Sequence, residues 1–429
     1  MRNVLMPLRD FEKDEVFACI AGLIRSAGQI AEDGREETAE WYCDCVAKMA
    51  ASAETYGLSG NIWVSWLALL FTRCEMPFSL AQERRTKLDG TLKKLVIEDL
   101  AVVLEYLKFD LNLIDSELEV SAFGRFSGYS PLSVEEGAFS RSAGSIVQQL
   151  AEDMAKSSAP EELYDVLTGF YEKFGVGQFA LNKAFRWDAL DCEIVPVTHT
   201  EDILLADLVG YEEQKKVLVD NTLAFLEGFP ANNVLLYGES GTGKSSSIKA
   251  LLNEFAPRGL RMVEVYKHQI GDLEAIVDLI KDRNYKFILF MDDLSFEQFE
   301  VEYKFLKAFI EGGLEKRPDN ILIYATSNRR HLMKETWADK EDRYEDMHES
   351  ETLQERMSLV DRFGLLIRYF SPEQEEYLHI VHMLAKEYGV EASDEELEQG
   401  AIRWELKHGG FSGRAARQFI EYLAGRKQL

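Results

Sequence analysis

The feature that most constrains the fold is the run Gly238-Glu239-Ser240-Gly241-Thr242-Gly243-Lys244-Ser245, which fits G-x-x-x-x-G-K-[ST] at every fixed position. It follows a short apolar stretch, 234–237, and opens a segment, 244–255, in which Ile248, Leu251, Leu252 and Phe255 recur at helical spacing. A strand that turns through glycines into a helix aims successive backbone N–H groups, and the positive end of the helix dipole, at one point. That arrangement suits phosphate. Lys244 is then placed to reach the β- and γ-phosphates of a nucleotide, and the Ser245 hydroxyl to bind Mg²⁺, with Ser246 completing the loop. The bland alternative is a glycine-rich turn that merely caps a helix, and the strand-before, helix-after context weighs against it.

The surrounding text agrees. Beyond about residue 206, apolar runs at 234–237, 261–265, 287–291 and 321–325 alternate with helix-like segments. Such alternation predicts a parallel sheet covered on both faces. The run Phe287-Ile-Leu-Phe-Met291 ends in Asp292-Asp293. Two acids at the C-terminal end of a buried strand sit where parallel sheets bind ligands. Asp292 is expected to hold Mg²⁺ through water, and Asp293 to polarise an attacking water.

In front lies a different texture. From about residue 10 to 185, apolar residues recur at helical spacing, as in Leu100, Val103, Leu104 and Leu107. The expected organisation is an all-α domain over 1–190, an extended Pro-containing linker over 191–205, an α/β core over 206–371 and a helical lid over 372–429. The apolar window 62–71 is too short for a membrane span and reads as a buried helix. No charged-then-apolar signal opens the chain, so a soluble cytoplasmic protein is expected. The cysteines Cys19, Cys43, Cys45, Cys74 and Cys192 make neither a disulfide framework nor a paired zinc motif, and read as reduced thiols. A net charge of −27 over 429 residues disfavours non-specific nucleic-acid binding. The basic stretch Arg84, Arg85, Lys87, Lys93 and Lys94 reads as a solvated face.

Residues 208–429 resemble an AAA+ ATPase module. Leu208-Val209-Gly210-Tyr211 resembles the family segment that cradles adenine, Gly238–Ser245 resembles Walker A, and 287–293 resembles Walker B. Asn328 stands where the family places its sensor-1 residue. The box Ser358-Leu-Val-Asp-Arg362-Phe363 resembles the one carrying an arginine finger, and Gly413-Arg414 resembles sensor 2. More narrowly, Asp292-Asp-Leu-Ser-Phe296, Glu311-Gly-Gly-Leu314, Thr326-Ser-Asn-Arg-Arg-His331 and Phe411-Ser-Gly-Arg414 together are similar to a bacterial AAA+ family of unassigned function, DUF815. The resemblance implies ATP and Mg²⁺ as cofactors, and Asp293, Asn328, Arg362 and Arg414 as the residues acting on the γ-phosphate. It further implies a homo-oligomer in which Arg362 reaches a neighbour's site. One departure is the Asp-Asp pair, where many members carry Asp-Glu; helicase-loader members share Asp-Asp, and slow turnover is the corresponding expectation.

Other readings stay open at this level. Arg362 could instead pair with Asp361, and Arg417 lies near the same helix face as Arg414. Arg329 and Arg330 could pair with the acidic stretch 334–355, which reads as a mobile insert or an exposed helix. His379 and His382, without a third ligand, read as surface or packing residues. The leading expectation is an Mg²⁺-dependent ATPase that remodels a protein partner chosen by the front domain. The rivals are a nucleotide-gated scaffold with little turnover and a DNA-associated loader, the latter opposed by the net charge.

Overall fold

The computed structural model describes residues 5–29, 34–86, 88–126, 128–132, 141–296, 301–312, 318–328, 359–408 and 410–427. Lys87, Arg329, Arg330, the stretch 334–355, Ser358 and the Gly313-Leu314 end of one motif lie outside the described residues. The chain divides into two compact units, Met1–Asn182 and Lys183–Leu429.

The first unit is helical: α1 (Glu15–Ser26), α2 (Arg35–Tyr56), α3 (Ile62–Arg73), α4 (Pro77–Glu83), α5 (Thr91–Lys108), α6 (Asn112–Glu117), α7 (Arg141–Lys156), α8 (Pro160–Phe174) and α9 (Gln178–Leu181). The apolar window 62–71 is indeed a buried helix. Asn61 caps α3 by accepting from the Trp63 and Val64 N–H groups, and α3 is buried on all sides. A helix apolar all round needs partners all round. Phe11, Phe17, Phe71 and Trp63 fill the centre, and the Trp63 indole donates to the Tyr106 carbonyl at 2.8 Å. Arg84, Arg85 and Lys94 are exposed, while the Lys93 ammonium lies 4.9 Å from the centre of the Tyr164 ring.

The second unit contains β1 (Ala184–Asp188), β2 (Glu193–Pro196), α10 (Glu212–Leu226), β3 (Val234–Gly238), α11 (Lys244–Phe255), β4 (Leu260–Glu264), α12 (Leu273–Ile280), β5 (Lys286–Met291), α13 (Glu302–Glu311), β6 (Ile321–Ser327), β7 (Leu365–Tyr369), α14 (Gln374–Glu387), α15 (Asp394–His408) and α16 (Gly413–Lys427). One seven-stranded sheet runs β2-β1-β4-β5-β6-β3-β7, parallel except for the β1–β2 hairpin. Both of its faces are covered. Leu236, Ile288 and Tyr324 pack with Ile248, Leu251 and Phe225 in one cluster, while the alternate residues Leu235, Leu289 and Ile323 are equally inaccessible. The strand before the glycine loop lies inside the sheet, separated by β6 from the strand that ends in two acids.

Two expectations need correction. The stretch 191–205 is not a free linker, because its residues Glu193–Pro196 pair with β1 and extend the sheet beyond β4. Residues 184–188, assigned from sequence to the helical front, are a strand for the same reason. An extended, proline-ended segment has no local mark that separates a linker from an edge strand. Strand β7 also went unseen: at the opposite edge, only Ile367 and Tyr369 are buried, so no continuous apolar run announces it.

The last three helices form their own core of Tyr377, Ile380, Val381, Leu384, Leu397, Phe419 and Ile420, with Val209 packed against it. Among the described residues, no helix is long and apolar enough to cross a membrane.

Candidate functional site

The register of the sheet builds the site. Leu236 faces Thr326 and Tyr237 faces Ser327 across β3–β6, while Met291 faces Ala325 across β5–β6. The three strands therefore end level, and the residues just beyond them converge. From β3 comes the glycine loop, from β5 the Asp292-Asp293 pair, and from β6, between them, Thr326 and Asn328. They line a cleft of about 530 Å³ together with Leu208, Val209 and Tyr211 on one side and Ile380, Leu384, Arg414 and Arg417 on another.

The loop geometry requires glycine. Gly238 sits at φ +141°, and a Cβ there would lie 1.8 Å from the Tyr369 carbonyl oxygen of β7. Gly241 (φ +78°) would push a Cβ to 3.1 Å from the Arg414 Cβ. Gly238→Ala is therefore expected to destabilise the unit by about 1–3 kcal/mol or more, since backbone rather than a side chain must move. A urea melt with an unchanged midpoint would contradict this.

Lys244 opens α11 and is 6% exposed. Its ammonium donates to the carbonyls of Gly238 at 2.9 Å and Glu239 at 2.6 Å, and to Asn328 Oδ1 at 3.1 Å. Burial pushes its pKa down, and Arg414 adds to this, while Asp293 and Asp292 oppose it. The Ser245 hydroxyl donates to Asp292 Oδ1 at 2.5 Å. Thr326 Oγ1 donates to the same oxygen at 2.6 Å and accepts from the Asp293 N–H at 2.9 Å. Asp293 stands at φ +50°, and its Oδ1 accepts from Asn328 Nδ2 at 2.7 Å. Asn328 thus touches Lys244 with its oxygen and Asp293 with its nitrogen. A left-handed aspartate is held in place by these contacts on both its backbone and side chain.

Ser240 to Ser246 line the cleft, whereas Gly238 and Glu239 shape it from behind by offering carbonyls to Lys244. Arg414 reaches the loop, donating through Nη1 to Ser240 Oγ at 3.4 Å and through its backbone N–H to the Gly241 carbonyl at 3.3 Å. On the apolar side, Gly210 and Tyr211 both adopt positive φ (+79° and +61°), which turns the strap Leu208–Tyr211 into α10. The Tyr211 hydroxyl donates to the Phe370 carbonyl at 2.6 Å and its ring lies 4.8 Å from that of Tyr369, tilted by 31°. Gly210 faces a neighbouring cavity, not the cleft itself.

Arg362 is the catalytic candidate that the structure does not bring here. It pairs with Glu311 at 2.8 Å, not with Asp361, and is absent from the cleft lining. His382 lies 3.6 Å from Asp394 and 3.4 Å from Glu398, away from the cleft. Thr326 and Lys215 were missed. Thr326 lay in plain view two positions before Asn328, but the step from β5 to β6 that makes it a partner of Asp292 is a matter of register.

Two oxygen donors, Ser245 and Asp292, lie in contact beside the glycine loop. That donor set fits Mg²⁺, which prefers one or two carboxylates completed by phosphate and water.

Among solved structures, the chain is similar to the Holliday junction branch migration motor RuvB of Thermotoga maritima, at 18% identity and a TM-score of 0.37. That match covers 51% of this chain and 63% of the RuvB chain, so the chain spans less than two thirds of its relative. A FIGL-1 AAA domain in complex with ADP is similar at 21% identity and a TM-score of 0.35, over 53% of this chain and 74% of that one. Neither distant likeness bears on activity. No curated protein matches the sequence. The family described as "Protein of unknown function (DUF815)" matches residues 180–427, more than half of the chain and the whole of the cleft. The chain therefore belongs to the DUF815 family, whose match spans the parallel sheet, the glycine loop and the three C-terminal helices.

Proposed function

We propose that this protein is an Mg²⁺-dependent ATPase that couples nucleotide binding and turnover to the remodelling of a protein partner. The observation that supports the reading is the convergence of Lys244, Ser245, Asp292, Asp293, Asn328 and Arg414 on one cleft that the apolar Leu208, Val209, Ile380 and Leu384 also line. A cleft that combines cationic side chains with apolar walls suits a nucleoside triphosphate. Magnesium, when bound at Ser245 and Asp292, would neutralise charge on the phosphates.

The chain's own residues do the rest. Loop N–H groups between Ser240 and Ser245 hold the phosphates, and Lys244 leaves the Gly238 and Glu239 carbonyls to meet them. Asp293 orients the attacking water, and Asn328 holds Asp293 in position. Arg414 approaches the phosphates from α16 and joins the three C-terminal helices, acting as a lid, to the loop. The helical unit Met1–Asn182 selects the partner. Arg362 acts on a neighbouring copy in a homo-oligomer.

Asp293→Asn tests the chemistry. The amide keeps the shape of the carboxylate and loses the charge that orients water. ATP affinity by calorimetry should stay near the wild-type value, while steady-state phosphate release falls by about 10²–10⁴-fold. Unchanged hydrolysis would remove Asp293 from the mechanism.

A second reading is a nucleotide-gated scaffold with little turnover. It is favoured by the Asn328–Asp293 contact, which occupies a carboxylate already one methylene shorter than glutamate. Wild-type protein that binds ATP but releases no phosphate would select it.

A further inference from the structure

The cleft has a neighbour. A cavity of about 490 Å³ lies on the other side of the strap and is lined by Ala206, Gly210, Glu212, Glu376, His379 and Met383. The two cavities share three residues, Leu208, Val209 and Lys215. The strap thus borders both cavities, with one charged side chain set beside it.

That side chain is oddly placed for a structural one. Lys215 is 9% exposed. It lies in the first turn of α10, where the helix dipole disfavours a cation. Burying an ammonium is costly unless it is paired. Its partners are Glu212 Oε1 at 2.7 Å, on a side chain that is itself largely in solvent, and the Leu208 carbonyl at 2.8 Å. An unbranched apolar residue such as methionine would fill this space at lower local cost.

What the charge achieves is to hold Leu208. The neighbouring anchors act elsewhere on the strap. Tyr211 is fixed through its hydroxyl to Phe370 and through its ring to Tyr369, and Val209 packs on the C-terminal helices. Leu208 and Val209 are among the apolar residues that line the cleft. The Leu208 N–H donates to the Leu205 carbonyl at 3.3 Å, and its carbonyl is left to Lys215. A charge-assisted hydrogen bond fixes it in one place.

We propose that Lys215 is a positioning residue for the nucleoside end of the site. By holding the Leu208 carbonyl it sets the surface on which the base packs, and so makes the site select a nucleoside triphosphate over a bare polyphosphate. The inference rests on the ATP reading above, and its test separates the two.

The measurement is calorimetric affinity of the full chain for ATP and for inorganic tripolyphosphate, both with Mg²⁺. Lys215→Met should weaken ATP by about 10- to 100-fold, the loss typical of one charge-assisted bond, and leave tripolyphosphate within about twofold. Lys215→Arg, which keeps a cationic donor, should restore most of the ATP affinity. If Lys215→Met does not fold, Lys215→Gln carries the same comparison. Equal weakening of both ligands would make Lys215 a phosphate contact and overturn the inference. Undiminished ATP affinity would overturn it as well. Wild-type protein that binds neither ligand would overturn the ATP reading itself, and this inference with it.

Discussion

Lys244→Ala protein is expected to lose ATP binding by a factor of roughly 30 to 5,000. The range follows from the about 2–5 kcal/mol that truncating one partner of a buried, hydrogen-bonded charge pair costs. The large end is the more reasonable here, because Lys244 is buried beneath the loop and its ammonium is the charge nearest the loop carbonyls. Without nucleotide, the ammonium rests on two loop carbonyls and Asn328. Phosphate oxygens replace acceptors already in reach, so little reorganisation is needed. The substitution also strips a donor from the Gly238 and Glu239 carbonyls. A thermal melt should accompany the titration, so that loss of the loop is told apart from loss of the contact. Equal affinity of folded mutant and wild type in calorimetry would end the phosphate-loop assignment.

Arg362→Ala should bind ATP nearly as wild type does and hydrolyse it poorly, by on the order of 10³–10⁵-fold if it serves as a finger. Within one chain, Arg362 pairs with Glu311 and takes no part in the cleft lining. An effect on chemistry must then come from a second copy. Mixing decides this. Arg362→Ala protein retains its own Lys244, Asp292 and Asp293, and Asp293→Asn protein retains its arginine. Combined before assembly, the two inactive proteins should regain part of the activity, because some interfaces receive one intact half from each. A mixture that stays inactive, together with wild-type specific activity independent of protein concentration, would reduce Arg362 to a structural partner of Glu311. The homo-oligomer would lose its support with it.

The partition between what was legible and what was not follows the range of the interactions. The glycine loop was legible because its requirements are local: positive φ at Gly238, Gly241 and Gly243, then a helix start at Lys244. The buried strands β3, β5 and β6 were legible because strands covered on both faces must be apolar throughout. The edge strands were not. β7 is half exposed and pairs with the distant β3, while β2 is short, polar in part and joins the sheet only through its hairpin with β1, which pairs with the distant β4. The segment 191–205, read as a linker, shows the same blindness: extended backbone looks alike whether or not a partner strand lies beside it.

The site divides in the same way. From its sequence alone the protein declares a phosphate loop, an acid pair at a strand end and a polar residue closing β6. Each is a statement about a few consecutive residues. Only the tertiary structure decides that Asn328 bridges Lys244 and Asp293, that Thr326 shares an oxygen of Asp292 with Ser245, and that Arg362 turns to Glu311. The physical reason is strand order. With β6 inserted between β3 and β5, residues more than 80 positions apart meet within 3.1 Å, and no local pattern encodes which strand lies between two others. Lys215 is the clearest case. In sequence it is one lysine on a charged helix face, and it becomes a buried anchor only because the strap before α10 folds back over it.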